Sequence, residues 1–141
     1  MFHIILFNPE IPPNTGNIMR LAANTGTKLH LIKPLGFNLN DNALKRAGLD
    51  YKKDADFFIY DDLDLCLKSI TFNEVYAFTK FSKKNFSKIS FKKNDCFLFG
   101  SETSGLPDNI LKQIKDYFLS QLIQQQKLIK KLFIIPILSK T

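Results

Sequence analysis

The chain has 141 residues, 45% of them hydrophobic and 23% charged, which accommodates one compact domain with an ordinary core and leaves little room for two. Twenty Lys plus Arg against thirteen Asp plus Glu leave a net charge of +7, which favours polyanions, nucleic acid first, over acidic partners. No apolar run approaches the ~20 residues of a membrane-spanning helix and no basic-then-apolar leader stands out, so the expectation is a soluble cytoplasmic protein with no membrane partner.

His3-Ile4-Ile5-Leu6-Phe7 is an unbroken apolar run ending at Asn8-Pro9, as expected of a strand buried on both faces. Pro12 and Pro13 then hold an extended loop, Asn14, Thr15 and Asn17 offer caps, and a helix follows that turns Ile18, Leu21 and Ala22 inward and stops at Gly26. Lys28-Leu29-His30-Leu31-Ile32 reads as a second, parallel strand, which makes the fold class α/β. Asp41 can cap a short helix through Leu44 and Ala47, closed by Gly48. Phe57-Phe58-Ile59-Tyr60 is the third strand, and Asp61 or Asp62 caps a helix whose Leu63, Cys66, Leu67 and Ile70 form a one-sided apolar stripe. Val75-Tyr76-Ala77-Phe78-Thr79 and Cys96-Phe97-Leu98-Phe99 are two further strands, and Ile110, Leu111 and Ile114 mark another helix. Beyond Tyr117, the positions of Phe118, Leu119, Leu122 and Ile123 predict one more amphipathic helix, and Pro136 argues against a central strand later on. The expected architecture is a single open, mostly parallel sheet with helices on both faces.

Several polar features have structural explanations. Cys66 and Cys96, 30 positions apart and outside any CxxC pair, read as buried free thiols, and His3 and His30 read as structural. Asp54, Asp56, Asp61, Asp62 and Asp64 read chiefly as caps and solvated charges, so no metal is expected. Residues 80–93 carry Lys80, Lys83, Lys84, Lys88, Lys92 and Lys93 and no acid but contain Phe81, Phe86 and Phe91. Two readings stand for that segment: a phosphate-binding surface with stacking aromatics, or a solvated loop whose phenylalanines pack onto the core.

No Ser-His-Asp order, Walker loop or GxGxxG string is present. What remains are two polar, glycine-bearing loops at the carboxyl ends of strands, where open α/β sheets bind ligands. In the first, Asn17 and Arg20 lie three apart on one helical turn; Arg20 is one of only two arginines in a lysine-biased chain, which suits bidentate gripping of a phosphate as well as an ordinary surface ion pair. In the second, Gly100 permits close approach at a strand end, Gly105 and Pro107 turn the chain into a helix, and Glu102 either orients a substrate or caps the next helix.

The strings Asn8-Pro9-Glu10-Ile11-Pro12-Pro13-Asn14-Thr15-Gly16-Asn17-Ile18-Met19-Arg20, Leu44-Lys45-Arg46-Ala47-Gly48-Leu49-Asp50-Tyr51 and Phe99-Gly100-Ser101-Glu102-Thr103-Ser104-Gly105-Leu106-Pro107 resemble the SpoU branch of the SPOUT RNA methyltransferases, in register to about Ile114. The resemblance implies an α/β fold with a deep trefoil knot, a homodimer, and S-adenosylmethionine as methyl donor to a ribose 2′-hydroxyl at the wobble position of a tRNA anticodon loop. By the same resemblance Arg20 and Asn17 are catalytic, and Phe78, Gly100, Glu102 and Ile135 hold the cofactor. Asn14 is assigned to the substrate, with Lys80, Lys83 and Lys84 beside it.

The family's third motif, a strand followed by a Ser-Arg-Ser-Leu-Asn-Leu-Ser-Asn loop and a closing helix, is echoed only by Ile135-Pro136-Ile137. Residues 1–141 are therefore read as one such domain with an atypical segment at 115–141, the expected product of a frameshift or truncation. The alternative function is a catalytically impaired remnant that keeps weak RNA binding or self-association.

Overall fold

The computed structural model describes residues 1–47, 57–79, 90–118 and 121–124. Strand β1 (His3–Phe7) lies inside the sheet because both of its faces are apolar: Ile4 and Leu6 enter one core layer and Ile5 the other, with Ile4 and Ile5 fully buried. Each such side chain contributes about 1.5–3 kcal/mol by leaving water. It is followed by α1 (Pro12–Thr25), β2 (Lys28–Ile32), α2 (Asn42–Ala47), β3 (Phe57–Tyr60), α3 (Leu63–Ser69), β4 (Val75–Thr79), β5 (Cys96–Phe99), α4 (Asp108–Phe118) and β6 (Gln121–Gln124). The strands form one sheet in the order β3-β2-β1-β5-β4-β6, and every pairing is parallel.

Helices cover both faces. Met19 and Ala22 of α1 and Leu44 of α2 pack with Phe2, Leu29, Leu31, Phe97 and Phe99 on one side. Leu63, Cys66 and Leu67 of α3 and Ile110 and Ile114 of α4 pack with Ile5, Ile32, Val75 and Leu98 on the other. The apolar stripe of α3 is core, as its spacing predicts. Asp62 caps that helix by accepting from the Leu65 amide at 2.8 Å, and Asp41 caps α2 by accepting from Ala43 and Leu44 at 2.8 and 3.2 Å. A cap of this kind stabilises a helix by about 1 kcal/mol. Gly26 ends α1 in the left-handed conformation (φ 70°), where its amide donates to the Ala22 carbonyl.

Two expectations need correction. The N-cap of α1 is Ile11, with no side-chain cap of its own; Asn14, Thr15 and Asn17 lie inside the helix, because Pro12 and Pro13 already have the fixed φ of a first turn and start it earlier. Residues 121–124 are a strand and not part of a helix: they pair with β4 from Tyr76↔Gln121 to Thr79↔Gln124. The side of β4 away from β5 offers unpaired backbone groups, and that tertiary demand overrides a marginal helical spacing. Gly48, Asp54, Asp56 and the segment 125–141, with Ile135, Pro136 and the expected knot, lie outside the described residues.

Inside the second layer, His3 and His30 are 4% and 1% exposed and bonded to each other. The Thr71 carbonyl lies 3.2 Å from His3 Nε2, His3 Nδ1 lies 3.0 Å from His30 Nε2, and His30 Nδ1 lies 3.1 Å from the Tyr60 hydroxyl. A carbonyl only accepts, so His3 Nε2 donates to Thr71. With both rings neutral, as burial favours, the rest of the chain runs the same way: Tyr60 donates to His30 and His30 to His3. Burial lowers both pKa values, that of His30 to about 4, with the charges of His3 and Lys28 adding to the shift. Cys66 and Cys96 are free and buried, and burial pushes the Cys66 thiol up to about 12, so neither behaves as a reactive thiolate.

Candidate functional site at the strand ends

The strand order places β1 between β2 and β5: the chain winds outward from β1 through β2 to β3, then crosses back to β4 and returns to β5. The carboxyl ends of β1 and β5 thus flank the topological switch point, where open α/β sheets leave a crevice for ligands. The segments that follow are residues 100–107, the second polar loop expected from the sequence, and residues 8–11, which are all that is loop of the first, expected over Asn8 to Arg20, because α1 already begins at Pro12.

Asn8 turns the chain out of β1 with a left-handed backbone (φ 51°), which an asparagine tolerates. Its amide and its side-chain Nδ2 both donate to the Ile32 carbonyl, at 3.0 and 3.3 Å. On the other side, Gly100 leaves β5 and the loop folds back on itself. The Gly105 amide donates to the Ser101 carbonyl at 2.9 Å, the Ser104 amide donates to Ser101 Oγ at 3.1 Å, and Gly105 takes φ 67°. A Cβ on Gly100 would stand 2.1 Å from the Gly105 carbonyl carbon and 2.3 Å from the Leu106 nitrogen. The close approach that requires glycine at 100 is therefore made by the loop's own backbone.

The two loops are tied by a pair of carboxylates. Glu102 accepts from the backbone amides of Glu10 and Ile11, at 3.0 and 2.6 Å, and from Asn14 Nδ2 at 3.4 Å. Glu10 in turn accepts from the hydroxyl and amide of Thr103, at 2.6 and 3.4 Å. Hydrogen bonds from Thr103 and Ser101 hold the Glu10 carboxyl below the usual carboxylate range. The helix that Glu102 caps is thus α1, not α4, which follows it in sequence. A third loop completes the wall: the Gly36 amide donates to the Pro9 carbonyl at 2.9 Å, and a Cβ on Gly36 would stand 2.9 Å from Glu10 Cα. Between these loops lies an open cavity of about 270 Å³, bordered by Asn8, Glu10, Leu35, Ser101 and Ser104.

Asn14, Asn17 and Arg20 all ride on α1, and Arg20 is exposed. Phe78 at the end of β4 pairs in register with Phe99, directly before Gly100, and stacks on it with ring centres 4.6 Å apart. The structure thus brings Asn14 and Glu102 into contact and sets Phe78 and Gly100 at adjacent strand ends, whereas Lys80, Lys83, Lys84 and Ile135 lie outside the described residues. Of the lysine-rich segment, Lys92 and Lys93 are exposed, and Phe91 packs edge-on against Tyr76 and Phe97 at 5.0 and 5.1 Å. Phe91 thereby packs onto the core, as the second of the two readings has it, while Phe81 and Phe86 lie outside the described residues. Asp61 pairs with Lys33 at 3.5 Å, Asp62 caps α3, and Asp64 accepts from Gln113, which accounts for the described part of the acidic cluster. Among the described residues no group of three or more His, Cys, Asp or Glu is placed to hold a metal, and no helix is long and apolar enough to cross a membrane.

Sequence reasoning missed Glu10, Thr103 and Gly36. Glu10 and Thr103 stand inside the recognised strings but carried no assignment, because their partners are 93 positions apart. For Gly36 the available signal was a Pro-Leu-Gly turn directly after a strand.

A doubly wound parallel sheet with clamped loops at its switch point defines a ligand-binding α/β protein. The sequence pattern of the SpoU rRNA Methylase family matches residues 1–124, and the chain belongs to that family. A tRNA (cytidine(34)-2′-O)-methyltransferase of Methylovorus glucosotrophus is 50% identical over 113 residues, covering 80% of this chain and 73% of its own. One of the same name from Yersinia pestis is 50% identical over 116 residues, covering 79% and 72%. A solved structure described as giving insights into the 2-OH methylation of C/U34 on tRNA superimposes with a TM-score of 0.78 at 35% identity, covering 99% of this chain and 90% of that one. The AviRb methyltransferase of Streptomyces viridochromogenes in complex with AdoMet shares the fold, with a TM-score of 0.77 at 15% identity over 98% of this chain and 55% of that one.

Proposed function

We propose that the chain transfers the methyl group of S-adenosylmethionine to the ribose 2′-hydroxyl of nucleotide 34, the wobble position of a tRNA anticodon loop. The observation that carries this reading is the pair of tied loops at the switch point, whose strings lie in the part of the chain shared with relatives named for that reaction. The residues present suit the cofactor: Phe78 and Gly100 offer an apolar and backbone wall at adjacent strand ends. S-adenosylmethionine supplies a methyl group already activated as a sulfonium, so no metal is needed.

The protein's task is alignment and charge stabilisation. In the transfer the O–H bond of the 2′-hydroxyl and the S–CH3 bond of the donor would break and an O–CH3 bond would form, the proton leaving to solvent and the donor's sulfur keeping the electron pair as a neutral thioether, S-adenosylhomocysteine. Arg20 stabilises the oxyanion that develops on the 2′-oxygen or grips the adjoining phosphate, while Asn17, one turn earlier, orients the ribose. Lys80, Lys83 and Lys84 supply a sequence-independent attraction for the RNA backbone, and Ile135 contributes to the cofactor pocket. The reading includes a cytoplasmic homodimer in which residues 1–141 act as one unit.

The test is incubation of the purified protein with tRNA and methyl-labelled S-adenosylmethionine, followed by mapping of the label. A single 2′-O-methyl group at nucleotide 34 is expected. Salt-sensitive tRNA binding with neither heat of cofactor binding nor methyl transfer would overturn the reading in favour of an impaired remnant.

A further inference from the structure

Helix α1 begins without a local side-chain cap: the Asn14 and Thr15 amides donate to the Ile11 carbonyl, and the amides just before the helix have no partner of their own in the loop. Ile11 at the N-cap has no polar side chain, and Pro12 and Pro13 carry no N–H. The free amides at this end are those of Glu10 and Ile11, and both are taken by Glu102, from a loop 91 to 92 positions away. A carboxylate there also lies at the positive end of the helix dipole. The same Glu102 oxygen that accepts from Ile11 accepts from Asn14 Nδ2, which ties the first turn as well.

The return connection is independent of the first. Glu10 reaches the opposite way and accepts from Thr103, the residue next to Glu102, through both its hydroxyl and its amide. Its backbone is wedged on the other side by Gly36, where no Cβ would fit. Neither loop can shift along the other without breaking bonds of both carboxylates.

We propose that Glu10 and Glu102 form a reciprocal staple, a pair of positioning residues that fix α1, with Asn17 and Arg20 on it, against the loop that starts at Gly100. The role rests on the methyltransferase reading above for its catalytic consequence, though not for its existence. Neither carboxylate touches the reacting atoms; each acts by holding the other's loop. A misplacement of about 1 Å between donor and acceptor groups is enough to cost up to about 100-fold in rate, so the staple is felt in turnover more than in binding.

The experiment compares Glu10→Ala, Glu102→Ala, the double variant and Glu10→Gln in the full chain. Backbone amide hydrogen exchange is followed at Glu10, Ile11 and Thr103, and kcat and KM for tRNA are measured in parallel. Glu102→Ala is expected to speed exchange at Glu10 and Ile11, and Glu10→Ala at Thr103. Each should lower kcat by about tenfold or more while KM for tRNA moves less than about threefold. The double variant should be no slower than the worse single variant, since breaking either half frees the same motion. Glu10→Gln, which keeps one carbonyl oxygen for Thr103, should recover part of the loss. Unchanged exchange in both single variants overturns the staple; faster exchange with normal kcat, or losses that simply multiply, overturns the positioning role. If the unaltered protein transfers no methyl group, the functional reading fails while the exchange measurements still decide whether the staple exists.

Discussion

Two polar networks join distant parts of this chain, and they do opposite work. In the Thr71-His3-His30-Tyr60 chain the two imidazoles are buried and both nitrogens of each are paired, so burial keeps the rings neutral. The carboxylate pair at the strand ends faces water, with Glu102 and Thr103 both exposed, so its hydrogen bonds contribute little to global stability. What they give instead is geometry: they set the start of α1 relative to the loop after β5. A buried network is sensitive to protonation and an exposed one to position.

The largest effect should come from Gly100→Ala, which breaks the exposed site from within. Its Cβ meets backbone atoms of Gly105 and Leu106 that cannot swing aside, so a stability loss of about 3 kcal/mol or more is expected in urea unfolding. A loss below about 1 kcal/mol would show that the loop is not held as described.

Acid should separate the two networks next. In the unfolded chain His30 titrates near its ordinary 6.5, whereas in the folded protein burial holds it at about 4. The stability it contributes is therefore complete above about pH 6.5 and is lost as pH falls toward 4, by about 3 kcal/mol at most. Unfolding curves at pH 7 and pH 4.5 for the natural protein and for His30→Gln check this: the variant should lose less between the two conditions. The Glu10 carboxyl is also held below its ordinary range, by its hydrogen bonds, so its contribution is lost in the same direction as that of His30, as pH falls, but only once the pH drops below the usual carboxylate range.

Arg20→Ala sharpens the contrast from the catalytic side. Its side chain is exposed, so the melting temperature should stay within a few degrees while kcat falls about 100-fold. Normal methyl transfer by this variant would remove Arg20 from the mechanism.

The smallest effect is expected at Thr15, whose Oγ1 is buried without a hydrogen-bond partner among the described residues. Thr15→Val removes that orphan at nearly equal volume, so stability should be unchanged or rise by up to about 1 kcal/mol in the same unfolding assay. A drop of similar size would reveal a partner for that hydroxyl.

Much of this was readable along the chain. Continuous apolar runs such as residues 3–7 and 96–99 identified strands covered on both faces, and Gly26 marked the end of α1. The two glycine-bearing loops were legible as a candidate site because they follow strand ends. The strand at 121–124 was not legible, since Leu122 and Ile123 fit a helix equally well until the open side of β4 is known. Nor was the partner of His3: a histidine in an apolar run looks solitary until β2 lies in register beside β1 and sets His30 against it.

The sequence by itself determined most of the local elements, the family strings and the glycines at 26 and 105 where the backbone turns left-handed, because each depends on neighbours a few residues away. Only the tertiary structure decided which carboxylate serves which loop. Glu102 looked like a cap for the helix that follows it and instead caps one that begins about 90 positions earlier, because the sheet order brings the ends of β1 and β5 side by side.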